Sequence, residues 1–437
     1  MAQYRKDIHA LDATTKTRYE VMMLDEGLTA AGTLTDAFGR LRISQPFTLF
    51  DSTHRYQRND KWDYSLSGSG DITYNANASV VNLTTTSANG DIVIGETKRV
   101  FSYQPGKSLL ILNTFAMANS SDNLIQRVGY FGANNGVFIE QNGANVAFVL
   151  RSNVTGTVTD TKVYQANWNV DTFDGSNTEY STQSGSAFSS GLDLTKANIM
   201  WFDIEWLGVG DVRCGFVGNG KLIPAHVFKN PNLNASTYMT TATLPIRYEI
   251  RNTGTVGYSS SLKQICSTVI SEGGYETKAK TYSVGRELGN IKDITAANTA
   301  YYPVISIRLA SDRLDSVIVP TNISLMGFTN NASYRYVIVL NPALTSPSWT
   351  THSSNNVQFD ISATTMSFSG STNLNSGYLA TDTKGGGVHI GSREDFSLQL
   401  GRFISTGNSD ILTLVVASDT AGADVVGSIE WKDLTNG

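Results

Sequence analysis

The sequence predicts an all-β protein: an N-terminal extended arm followed by two antiparallel β-sandwich domains of jelly-roll-like type. Three observations carry this. Apolar runs of strand length recur along the chain, bounded by Gly, Asn and Pro. Asn-Gly pairs fall between several of them, and Asn-Gly suits the two positive-φ positions of a tight hairpin. Charged residues make up only 16% of the chain, well under the usual quarter, and Ser, Thr, Asn and Gly take their place.

The length of 437 residues exceeds one comfortable core, and a hydrophobic share of 40% is enough to fill two. The expected division is an arm over residues 1–45, a first sandwich over 46–275 and a second over 286–437. In the arm, "TRYEVMMLDEG" (17–27) spaces Tyr19, Met22 and Met23 so that a helical turn and a short strand fit equally. So few apolar residues cannot make a core of their own.

The first sandwich opens with "DIVIGETKRVFSY" and "SLLILNTFAMA", both of strand length. "QRVGYFGANNGVFIEQNGANVAFVLRSN" then reads as three strands with turns at 133–136 and 141–143. "NIMWFDIEWLGVGDVRCGFVGNGKLI" continues the meander, with Asn219-Gly220 closing a hairpin, and "LPIRYEIRN" follows. Residues 157–192 are long, polar and Ser/Gly-rich, so exposed loops are expected there. A Gly-bearing connector over 271–285 leads to a second β unit, whose longest spacer is 341–394.

Composition excludes several functions. A net charge of −5 gives no basic footprint for nucleic acid, and nowhere do 18 apolar residues run together. The start "MAQYRKDIHA" lacks a secretory apolar run, so a soluble chain made in a cytoplasm is expected. Cys214 and Cys266 are too few for a disulfide framework; they read as two buried thiols, with a single bridge between them as the alternative.

Catalytic patterns are sparse. "WFDIEW" (201–206) would put Trp201, Asp203 and Glu205 on one strand face, as a sugar-cleaving pair with an aromatic platform requires. It resembles the strand motif of jelly-roll glucanases, but Trp201 stands where that motif has its nucleophilic Glu. His9, His54, His226, His352 and His389 are scattered, and no Gly-x-Ser-x-Gly elbow or phosphate loop occurs. A chain without enzymatic activity is therefore expected.

Two binding readings remain. Asp171, Asp174, Asn177 and Glu179 set hard oxygen ligands in one loop, as a structural calcium would need, although turn chemistry uses the same residues. No other cofactor is expected. The loop tryptophans Trp168 and Trp349 are candidates for stacking on a sugar.

One segment is more specific. "DAFGRLRISQPFTLFDS" (36–52) is similar to an N-terminal signature of tailed-bacteriophage virion structural proteins, particularly of marine phages. Similarity continues in order through "VGYFGANNGVFIEQNG", "EWLGVGDVRCGFVGNGK" and "TYMTTATLPIRYEIRN", and less specifically at "VVGSIEWKDL". The resemblance implies a virion component assembled in the host cytoplasm, a capsid-decoration, vertex or tail protein held by its N-terminal region. Phe38, Arg40, Arg42 and Phe47 are the residues expected to meet the particle, the arginines pairing with carboxylates of a neighbour. Its partners would be capsid, portal or tail proteins and copies of itself, with a trimer favoured by analogy to phage appendages. The alternative is a fibre-like receptor-binding module whose loops read a host glycan.

Overall fold

In the computed structural model the described residues are 9–11, 18–20, 45–176, 188–298, 300–382, 386–391 and 398–435. The chain divides into two units, Met1–Pro46 and Phe47–Gly437. In the first, His9–Leu11 and Arg18–Glu20 pair antiparallel, with His9 opposite Glu20. Phe38, Arg40 and Arg42 lie outside the described residues.

The second unit is built from antiparallel sheets, as the sequence predicts. Sheet I orders its strands Thr159–Tyr164, Asn145–Ser152, Gly136–Asn142, Leu124–Phe131, Ile246–Asn252, Ile92–Thr97, Trp62–Ser67. Sheet II runs Lys221–Phe228, Val212–Gly218, Asn198–Ile204, Leu109–Ala116, Ser260–Ser271, Val80–Thr85, Asp71–Asn75, and Phe47–Ser52 also pairs with Ser260–Ser271. Their facing sides bury one core, in which Val128 and Tyr130 of sheet I meet Ile111, Phe202 and Phe216 of sheet II. Alternation along the strands sends side chains of both sheets into this core, with bulges shifting the register at Cys214/Gly215, Gln264/Cys266 and Val269/Ile270.

Sheet III orders Lys280–Gly285, Ala423–Asp433, Ile318–Gly327 and Gly386–Gly391, with Lys292–Ile294 also on Ala423–Asp433. Sheet IV orders Thr350–Thr351, Val357–Asp360, Tyr302–Leu309, Ile411–Ser418, Ser333–Leu340 and Thr372–Ala380. Trp431 and Leu325 of sheet III pack against Tyr334 and Leu414 of sheet IV.

The two sandwiches share a small apolar seam. Val100 of the first packs with Val317, Val319 and Leu434 of the second, and Tyr275 and Ala279 join them. The stretch 271–285 is thus partly packed, not a free tether. Gln399 Nε2 donates to Val100 O at 3.0 Å, and Ser102 Oγ to Leu434 O at 3.3 Å, so polar groups fix the same seam.

The outward face of sheet I holds an ionic ribbon that crosses the strands. Lys162 Nζ lies 2.6 Å from Glu140, and Arg127 reaches Glu140 at 2.8 Å and Glu249 at 2.9 Å. Arg247 then links Glu249 at 2.8 Å to Glu96 at 3.2 Å. Register explains the chain of contacts: Glu140 and Glu249 both stand directly opposite Arg127, and Arg247 opposite Glu96. Ala147, opposite Glu140, leaves room for Lys162 of the next strand to reach over it.

The Glu140 and Glu249 side chains are only 3% exposed. Charges so withdrawn from water persist only when each is paired, which the ribbon achieves by alternating sign. Burial opposes ionisation of Glu249, yet Arg247 and Arg127 hold its carboxyl below the usual range. At Glu96 burial prevails and pushes the carboxyl up, against the pull of Arg402 and Arg247.

Candidate functional site

The outward face of sheet IV carries the exposed chemistry. Tyr302–Leu309 turns Tyr302, Ile307 and Leu309 into the core, which leaves Arg308 on the other side. Its neighbour in register is Gln358 of Val357–Asp360. Arg308 Nε donates to Gln358 Oε1 at 3.0 Å, and Gln358 Nε2 donates to Thr351 Oγ1 at 3.4 Å. The guanidinium plane thus fixed lies 4.2 Å from the centre of the Trp349 ring. Trp349 and Arg308 are both half-buried, and Thr350 and Thr351 are exposed. An aromatic ring, a guanidinium, an amide and a hydroxyl are therefore held side by side at the surface.

The loop that carries Trp349 is tied down along its length. Asp360 Oδ1 accepts from the backbone N–H of Ser348 at 2.7 Å and from that of Ser362 at 3.1 Å. Its Oδ2 accepts from the N–H of Ala363 at 3.1 Å. Lys292 Nζ donates to Ala363 O at 2.7 Å. Further along, Met366 and Phe368 pack over Val337, Val339 and Val415 on the outward face of sheet IV. So the first part of the spacer expected over 341–394 is a cover for sheet IV, and from 372 it becomes a strand of that sheet.

On the same face, Arg335 lies between two rings, 5.9 Å from the Tyr301 centre and 6.0 Å from that of Tyr378. Phe368 meets Tyr301 edge-on at 5.0 Å. Sheet IV therefore displays two arginine–aromatic groupings, one toward each side edge.

Trp168, expected as a sugar-stacking loop residue, is a core residue. It is 4% exposed and packs among Phe148, Phe173 and Phe216. Its indole N–H donates to Val163 O at 3.0 Å, so neither its faces nor its donor is available to a ligand. Phe173 and Phe188 enter the same cluster and Thr159–Tyr164 forms a strand, so among the described residues of 157–192 a strand and buried rings stand where exposed loops were expected.

Two members of the expected calcium set, Asn177 and Glu179, lie outside the described residues. The other two close turns: Asp171 Oδ1 accepts from the N–H of Phe173 at 2.8 Å and Asp174 Oδ1 from that of Ser176 at 2.8 Å. Burial raises the Asp171 carboxyl. Among the described residues no group of three or more His, Cys, Asp or Glu is placed to hold a metal ion.

"WFDIEW" does not present a carboxylate pair on one strand face. The strand ends at Ile204, and Glu205 enters a tight turn in which its N–H donates to Asp211 O. Trp201 is buried against Gly215, and its indole N–H donates to Phe216 O. Burial raises the Asp203 carboxyl, Arg213 at 3.5 Å opposes the rise, and Glu272 and Glu205 add to it. Phe47, expected to fill a pocket on a neighbour, stacks at 5.5 Å on Tyr275 and stands opposite Ser271 in sheet II. Cys214 and Cys266 are free thiols, as their strands stand three places apart in sheet II, roughly 14 Å at the usual strand spacing.

The geometry defines an all-β protein of two fused antiparallel sandwiches with an aromatic–arginine face. No family model matches the chain, and no curated protein matches it. Several solved structures are similar to part of it. An endo-β-1,4-glucuronan lyase from the fungus Trichoderma reesei matches at 10% identity over 51% of this chain and 95% of its own, with a TM-score of 0.33. Peanut lectin matches at 10% identity over 52% of this chain and 98% of its own, TM-score 0.30. A carbohydrate esterase of the Shiga toxin-encoding bacteriophage phi24B matches at 10% identity over 52% of this chain and 100% of its own, TM-score 0.28. Two of these three are carbohydrate-processing enzymes, so the expectation of a chain without enzymatic activity is withdrawn. That expectation rested on missing sequence motifs, and a β-sandwich need not announce its chemistry in contiguous residues.

Proposed function

We propose that this chain is a carbohydrate-binding component of a tailed-bacteriophage particle, carried on the particle by residues 1–45 and reading a host glycan with the outward face of sheet IV. One observation carries the glycan reading: the half-buried Trp349 ring, backed by Arg308 at 4.2 Å and flanked by Gln358 and Thr351. Sugars offer C–H faces to a ring and hydroxyls to planar donors and acceptors, and a fixed guanidinium keeps both kinds of contact in place before binding. The phage assignment is supported by the "DAFGRLRISQPFTLFDS" signature.

A glycan array probed with the full chain should give a defined set of bound sugars, and Trp349→Ala should lower that binding at least tenfold without changing the melting temperature. An array with no bound sugar, or binding indifferent to Trp349→Ala, would reject the reading. Release of reducing ends from a bound polysaccharide would add cleavage to binding. For the particle, removal of residues 1–45 should leave folded protein that no longer joins virions.

A further inference from the structure

Sheet IV is built almost without charge. Its strands carry three charged side chains, Arg308, Arg335 and Asp360. Residues 341–371, which cover part of its outward face, add no other. Asp360 is already engaged: it is 1% exposed, and its oxygens accept from the N–H groups of Ser348, Ser362 and Ala363. The strands and cover of this face thus offer two cations and no available anion, in a chain whose net charge is −5. The overall field of the protein would not draw an acidic ligand, so any such preference must arise locally.

Arg308 is the cation held in a fixed place. Arg127, Arg151, Arg247 and Arg402, also withdrawn from water, each meet a carboxylate. Arg286 instead donates to Val304 O at 2.6 Å and Asn290 O at 3.0 Å. Arg308 gives its Nε to Gln358 and lays its guanidinium against Trp349. Its terminal nitrogens, Nη1 and Nη2, have no partner among the described residues and are not sealed from solvent. Burial lowers the basicity of the group, and no carboxylate stands near enough to oppose that. A guanidinium nevertheless stays charged. A half-buried, immobilised cation therefore stands beside the ring with its fork unpaired.

We infer that the sugar read by this face is acidic: the carboxylate of a uronic or sialic acid meets Nη1 and Nη2 of Arg308 as a bidentate pair, alongside the Trp349 ring. This rests on the glycan reading above and names the class of glycan. Stacking on the indole fixes the plane of the guanidinium, and with it the plane of the group that pairs with it. The two oxygens of a carboxylate lie in one plane with its carbon, so it can enter parallel to the indole. A tetrahedral sulfate ester puts an oxygen out of that plane, toward the apolar ring. Thr350 and Thr351, both exposed, are left for hydroxyls of the same sugar.

The test is an array of uronate- and sialate-containing glycans, the same glycans with carboxyls reduced to alcohols, and sulfated neutral glycans, probed with the full chain. Acidic glycans should bind, and carboxyl reduction should weaken binding about tenfold or more. Arg308→Gln should bind a glycan and its reduced form alike, at an unchanged melting temperature. Arg335→Gln, on another strand of the same face, should keep the wild-type preference. The wild-type comparison needs no variant and stands even if Arg308→Gln is unstable. Neutral glycans bound as well as acidic ones, in a Trp349-dependent manner, would overturn this inference and leave the glycan reading standing. An array without any bound sugar would reject both. Binding of sulfated glycans alone, or a preference for acid that survives Arg308→Gln or falls equally in Arg335→Gln, would also overturn it.

Discussion

Arg402 of the second sandwich sets its Nη2 2.6 Å from Glu96 Oε1 of the first, and so extends the ionic ribbon of sheet I across the seam between them. Its Nη1 pairs with Asp315, and its backbone N–H donates to Lys98 O at 2.7 Å. Arg402→Ala would leave Glu96 with Arg247 alone in a site almost closed to water. An uncompensated buried charge costs about 3–5 kcal/mol, and the loss here should be smaller because Arg247 still pairs with Glu96. Calorimetry should show a lower melting temperature and two separated transitions in place of one. A single transition at the wild-type temperature would mean that the apolar seam alone couples the sandwiches.

The two candidate tryptophans should respond oppositely to truncation. Trp168 fills the aromatic cluster of the first core, and Trp→Ala at such a site costs about 3–5 kcal/mol. Urea unfolding of Trp168→Ala should show that loss, while Trp349→Ala, at a half-buried ring, should stay within about 1 kcal/mol of wild type. Equal losses would place Trp349 in the structural core and remove it from consideration as a contact.

Acid should destabilise the first sandwich through two histidines. Burial holds His54 and His226 down to about 4. In each, Nδ1 accepts a backbone N–H, from Asn59 at 3.2 Å and from Asn169 at 3.4 Å, which requires that nitrogen to be unprotonated. The folded value lies below the unfolded 6.5, so the unfolded chain takes up protons first. Stability is complete above pH 6.5 and falls as pH drops from there toward 4, by at most about 3 kcal/mol per histidine. Imidazole NMR titration should give both low values, and His226→Asn should flatten part of the stability slope. Titration of both rings near 6.5 would exclude this source of acid sensitivity.

Local chemistry was legible in the sequence and long-range pairing was not. Asn219-Gly220 closes its hairpin as expected, with φ of 51° and 74° and Gly218 opposite Lys221, because the turn is decided by two residues alone. The place of Leu124–Phe131 beside Ile246–Asn252 joins segments far apart in sequence, and no local pattern specifies it. Trp168, Phe173 and Phe188 read as loop residues because each stands alone among polar neighbours, without the periodicity that marks a buried face. The ionic ribbon did leave a trace. Arg127, Glu140 and the alternating Arg247, Glu249 and Arg251 interrupt apolar strands at outward positions, but only register shows that they meet. The Arg308–Trp349 stack was half visible: the tryptophan was a candidate, and its arginine, on another strand, was not.

The central position of Ala423–Asp433 in sheet III has a consequence for the order in which the molecule is made. This strand pairs with Lys280–Gly285, Lys292–Ile294 and Ile318–Gly327, all of which precede it in the chain. During synthesis those three must wait for their common neighbour, with edges that invite the wrong strand. The first sandwich has no such delay, since its own late strand, Ser260–Ser271, is translated before any of them. The ribosome therefore delivers one finished sandwich and then an unfinished one, and the newborn chain most needs a chaperone in the interval before residue 423 emerges.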